Sequence, residues 1–246
     1  MKNSITYLHL SLFAFLRSIG NCIFFLLFTL IVAFLFFEYI GQITSTEVVW
    51  NENLISPILG NIHFLLLITI PILTYSSAST VFKLEGQQLC RFLGVSTRKA
   101  ILIQFLVCLF QVVILHLIIL TSASYLFFLG YDDWKFFSNL FFVLFSISIA
   151  LLSICFFVRS KIKNPLIYMF CCFGMICFFY LINLAGNFLS NYVLIEVFKS
   201  LSFSVIFDNA ISGSFSIKKL LYLLSLTISF LYFSIFIPVK NKRRID

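Results

Sequence analysis

The chain has 246 residues, of which 61% are apolar, 19% aromatic and only 11% charged, with a mean hydropathy of +1.09. Ordinary soluble domains carry roughly 45–50% apolar and about 25% charged residues, so a water-soluble globule, and with it a soluble enzyme, is excluded. The net charge of +8 is what retention of Lys and Arg in cytoplasmic loops leaves behind in a chain solvated by lipid, and it calls for no nucleic-acid partner.

At about 20 residues per span, the long Phe- and Leu-rich runs predict an all-α, polytopic membrane protein with six transmembrane helices and an N-terminal interfacial helix. In residues 2–18, Ile5, Leu8, Leu12, Phe15 and Leu16 recur at helical spacing ahead of Arg17. This pattern predicts the helix in the interface, the alternative being the start of the first span. No small-residue cleavage site follows, so no removable leader is expected. The first span is predicted over 20–41, ending near Glu38 and Tyr39. Residues 42–58 carry Glu47 and Glu52 and no basic residue, which makes the loop exterior. The second span, 59–82, contains Pro71 and then Thr74, Ser76, Ser77, Ser79 and Thr80. Such a stretch suits either a kinked, polar-lined pathway or close packing between helices.

Residues 83–99 are the longest polar stretch on the inner side, with Lys83, Arg91, Arg98 and Lys99, and must face the cytoplasm. The third span is predicted over 100–128, an acidic turn at Asp132 and Asp133 lies outside, and the fourth span runs over 137–158. Pro165 opens the fifth, 165–187, as proline does at a first helical turn. Residues 188–215 are too polar to span and too apolar for a free loop, so short exterior or re-entrant helices are expected. The last span, 219–239, leads into the basic tail of Lys240, Lys242, Arg243 and Arg244. In this arrangement every basic residue except Lys135, Lys199, Lys218 and Lys219 faces the cytoplasm, as do both termini.

Catalytic signatures are missing. There is no GxxxxGK[ST] loop, no HExxH and no GxSxG, and His9, His63 and His116 lack ligand spacing. The seven Cys sit mostly in apolar runs without CxxC spacing and read as small hydrophobes rather than metal ligands. No span carries a central Asp, Glu, Lys or Arg, which speaks against an ion-driven carrier or channel. The remaining polarity in the spans is uncharged: Ser76, Ser77, Gln104, Gln111, His116, Asn139, Asn183 and Asn187. Gln104 and Gln111, seven residues apart, fall on nearly one helix face. Each of these groups could line a pathway or bond one helix to another.

Two segments carry a family likeness. One is Glu85-Gly86-Gln87-Gln88-Leu89-Cys90-Arg91-Phe92-Leu93-Gly94-Val95-Ser96-Thr97-Arg98, leading into Gln104 and Phe105. The other is Phe207-Asp208, Gly213 and then Lys218-Lys219-Leu220-Leu221-Tyr222-Leu223-Leu224-Ser225 ahead of the basic tail. Together they resemble the type-2 ABC exporter permeases, most closely the gliding-motility-type branch. Gly94 stands where that family usually has Pro, and Gln104 where it often has Lys. The resemblance implies a permease subunit in a bacterial cell inner membrane, paired with a second identical or related permease and docked to a cytoplasmic ABC ATPase. It implies no cofactor in this chain, with ATP and Mg on the partner ATPase. In such a protein 83–99 would be the coupling segment, Arg91 and Arg98 supplying charge and Leu89, Phe92 and Val95 filling a groove on the ATPase, with Glu85, Gly86 and Ser96 in the same stretch. The alternatives are a solvated loop for this segment and, for the whole chain, a non-transporting structural or assembly subunit.

Overall fold

The computed structural model describes residues 2–16, 18–45, 55–82, 84–128, 133–186 and 191–236, and these residues form ten α-helices and no strand. In chain order they are α1 (Lys2–Leu16), α2 (Ile19–Ser45), α3 (Ile55–Phe82), α4 (Leu84–Phe92), α5 (Thr97–Phe128), α6 (Trp134–Lys161), α7 (Pro165–Gly186), α8 (Tyr192–Leu201), α9 (Phe203–Ile211) and α10 (Ile217–Phe236). Six of them, α2, α3, α5, α6, α7 and α10, are long and apolar enough to cross a membrane. The chain is therefore an all-α, six-span membrane bundle.

Local chemistry sets the boundaries. Asp133 accepts a 2.9 Å bond from the Phe136 amide, so α6 starts at Trp134, three residues earlier than the apolar run suggests. Asn164 caps α7 by accepting from the Leu166 amide at 2.9 Å, with Pro165 in the first helical position, where its missing N–H costs nothing. Asn191 caps α8 through the Val193 amide at 3.0 Å. Ser18 separates α1 from α2, its carbonyl accepting from the Asn21 and Cys22 amides, so α1 is a helix of its own and not the beginning of the first span.

α6 is the central helix. It packs against α3, α5, α7, α9 and α10, burying one face from Leu140 to Ser148 and its whole circumference from Ala150 to Phe156. α2, α7 and α10 are peripheral, with Leu26, Leu30 and Phe34 of α2 and Leu166, Phe170 and Phe178 of α7 turned outward. That is the pattern expected where the solvent is hydrocarbon. All seven Cys are free.

The stretch 188–215 forms the pair α8 and α9 where it is described. α9 buries Phe203, Ile206, Phe207 and Ala210 against α6 and α7, whereas α8 lies along α7 with no buried residue. Ser202, between them, donates to the Tyr180 carbonyl at 2.9 Å, and the Tyr222 hydroxyl donates to the Leu201 carbonyl at 3.0 Å. Tyr180 and Tyr222 lie about 8–9 Å from the adjoining ends of α7 and α10 at 1.5 Å per residue. The hinge between α8 and α9 is thus held against the sides of α7 and α10.

Candidate functional site

Residues 84–99 form an elbow between two spans. α4 ends in a Schellman motif: the Val95 amide bonds the Cys90 carbonyl at 2.9 Å and the Gly94 amide bonds the Arg91 carbonyl at 3.1 Å, with Gly94 at φ +63°. Only a residue without Cβ enters that conformation cheaply, and Pro, locked near φ −65°, cannot adopt it. Gly94 therefore gives this elbow a left-handed helix cap. Val95 and Cys90, which such a motif brings together, are both buried, at 6% and 4% exposure. Val95 is consequently an internal anchor and is not presented to a partner, contrary to the expectation from sequence.

The outer surface of the elbow carries Arg91, Ser96 and Arg98, all exposed, together with Leu89 at 46% and Phe92 at 95% exposure. Glu85 and Gly86 belong to the first turn of α4, and the Glu85 side chain lies outside the described residues. Two contacts brace the elbow from behind. The Asn3 side-chain amide of α1 donates to the Leu93 carbonyl at 2.9 Å. Tyr7, 2% exposed on α1, meets Cys90, and burial followed by that contact raises its hydroxyl pKa above the ordinary tyrosine value. Arg98 places its guanidinium 4.8 Å from the ring centre of Phe236, tying the start of α5 to the end of α10.

The uncharged polar residues of the spans separate into groups. Gln104 donates to the Ser77 backbone carbonyl at 2.6 Å, and Gln111 donates to the Ser77 hydroxyl. The shared face predicted for the two glutamines thus converges on one residue of α3. His116 lies within 3.5 Å of the Ser148 hydroxyl and edge-on to Phe141 and Phe145, linking α5 to α6. These contacts join helices, which favours the packing role for Gln111 and His116. Ser76, Ser77 and Gln104 also border a crevice of about 270 Å³ between α1, α2, α3, α4 and α5. Asn139 lines a separate crevice with Asp133, Lys135 and Gly213 at the other end of the bundle. Asn183 is half-buried near the end of α7, and Asn187 lies outside the described residues.

Three buried groups carry no site signal in the sequence. Arg159, read there as an orientation charge, is 3% exposed; its guanidinium lies 4.7 Å above the Tyr75 ring and donates to the Ile162 carbonyl at 2.7 Å. Tyr168, fully buried on α7, donates to the Pro71 carbonyl of α3. His63 is stacked on Phe207 at 4.6 Å and beside Tyr180 at 5.4 Å, with neither ring nitrogen hydrogen-bonded. Each depends on a neighbour distant in sequence, so only their apolar context was visible there.

No family model, curated protein or solved structure matches the chain.

Proposed function

We propose that the chain is the membrane-spanning permease subunit of an ATP-driven exporter, pairing with a second membrane subunit and taking its energy from a separate cytoplasmic ATPase that docks on α4. The observation that carries this reading is Phe92. It is 95% exposed on a capped elbow joining α3 to α5, beside exposed Arg91 and Arg98. An aromatic ring flanked by cations is the usual anchor of a protein interface. The buried Cys90–Val95 closure and the Asn3 contact make the elbow stiff enough to pass displacement of α4 into α5 and α1.

The bundle core supports the same reading from the other side. No Asp, Glu or Lys is buried among the described residues, so these residues offer no acidic relay for an ion gradient. On this reading α4 and every basic residue except Lys135, Lys199, Lys218 and Lys219 face the cytoplasm of a bacterium, with both termini on that side of the inner membrane. ATP and Mg²⁺ belong to the ATPase.

The test is affinity purification of the full chain from its native membrane. An ATPase with a Walker-type nucleotide loop is expected at stoichiometric level. Phe92→Asp and Arg98→Glu are expected to release it while the chain still inserts, and Phe92→Leu to retain it. A wild-type complex containing no such ATPase would overturn the proposal in favour of an assembly subunit.

A further inference from the structure

α1 covers two crevices that follow one another along a single seam. Asn3 and Thr6 line the first, of about 370 Å³, against Arg91, Phe92, Leu93 and Gly94. Tyr7, Leu10, Ser11 and Ala14 line the second, of about 270 Å³, against Leu89 of α4 and Gln104 and Val107 of α5. On α1 these positions recur at three- and four-residue steps and so share one face. From Asn3 to Ala14 that face is about 16 Å long.

The two compartments differ in chemistry. Among the described residues that line the two, Arg91 is the only charged one, and it belongs to the first. The second is apolar with scattered hydroxyl and amide groups: Ser11, Ser18, Asn21 and Ser76. A cationic fork at one end and an uncharged channel at the other suit a molecule with an anionic head and a long apolar tail. Leu10 and Ala14, which border the apolar compartment, are themselves exposed, so the seam is open at its side.

We propose that this seam binds one anionic phospholipid, its phosphate against Arg91 and an acyl chain in the compartment under Leu10 and Ala14. A lipid seated there touches α1, α4 and α5 together and braces the elbow. The site needs no ATPase to form. Its test therefore reads lipid alone, and Arg98→Glu, at a residue that lines neither crevice, is expected to leave it intact even where ATPase docking is lost.

The experiment is native mass spectrometry of the full, delipidated chain given phosphatidylglycerol, phosphatidylcholine with the same acyl chains, or inorganic phosphate. One phosphatidylglycerol adduct is expected, about fivefold favoured over phosphatidylcholine, the preference one basic residue gives for an anionic lipid. Arg91→Gln should abolish that preference and Arg91→Lys should keep most of it. Ala14→Phe, which fills the apolar compartment, should weaken both lipids in a monodisperse, fully helical protein, and Lys199→Gln on α8 should change neither. Equal retention of the two lipids, adducts unmoved by Arg91→Gln and Ala14→Phe, or binding of phosphate without lipid would each overturn the assignment.

Discussion

The hydroxyl of Tyr168 donates a 2.9 Å hydrogen bond to the backbone carbonyl of Pro71, fastening α7 to the proline turn of α3. Thr74 supports the same turn by donating to the Ile70 carbonyl at 2.7 Å. Tyr168→Phe removes one buried bond without changing shape, and the expected loss is about 1 kcal/mol. In a thermal melt of the solubilised protein that corresponds to about 2–4 °C for a chain of this size. An unchanged midpoint would mean that the bond does not help fix α7.

The convergence of Gln104 and Gln111 on Ser77 predicts an asymmetric double-mutant cycle. Ser77→Ala removes the hydroxyl that Gln111 uses but leaves the backbone carbonyl that Gln104 uses. Ser77→Ala and Gln111→Met should therefore couple, by about 0.6 kcal/mol as is typical of such bonds between membrane helices. Ser77→Ala and Gln104→Met should simply add. Chemical unfolding of the three single variants, the two double variants and the wild type measures both.

Arg159 predicts that shape matters more than charge. Its guanidinium lies over Tyr75 while one nitrogen donates to the Ile162 carbonyl beyond the last turn of α6. A lysine ammonium has no planar fork to make both contacts at once. Arg159→Lys should destabilise the bundle by about 1–2 kcal/mol, close to Arg159→Met, with Tyr75→Leu losing the cation–π part. Full recovery of the melting temperature by Lys would refute the planar account.

Asp208 on α9 gives a pH dependence. Desolvation raises its carboxyl above the ordinary value of 3.8, so the folded chain holds that proton to a higher pH than the unfolded chain does. Its contribution to stability is present below 3.8 and is lost as pH rises through the raised folded value. Asp208→Asn should flatten this fall, seen by comparing melting curves of the two proteins across the acidic range.

The spans were legible because hydrocarbon imposes a length and excludes charge, and both constraints are written locally in the residues. Pro165 also showed where α7 begins, whereas the acidic turn at Asp133 was read as an exterior turn and not as the cap that starts α6. Inward and outward faces of short segments were less legible. Val95 looked like a surface anchor beside Leu89 and Phe92, yet the helix cap at Gly94 folds it back onto Cys90. Arg159 could be counted as a charge but not located, since its neighbour Tyr75 is on another span. The same limit hid the double use of Ser77 and the pull of Tyr180 and Tyr222 on the α8–α9 hinge.

The central position of α6 sets an order of assembly. α2, α3 and α5 precede it in the chain, and the helix against which α3 and α5 pack has yet to be synthesised when they emerge. Membrane helices become individually stable before they associate; α3 and α5 can then join through Gln104, Gln111 and Ser77, but the faces of α3 and α5 that pack on α6 stay uncovered until it is made. Synthesis of Trp134–Lys161 supplies the surface on which they close, and α7, α9 and α10 then dock onto a nucleus that already exists. A ribosome stalled before α6 should therefore hold spans that insert yet remain open to protease and crosslinker, and one stalled after it should hold a core that is shut.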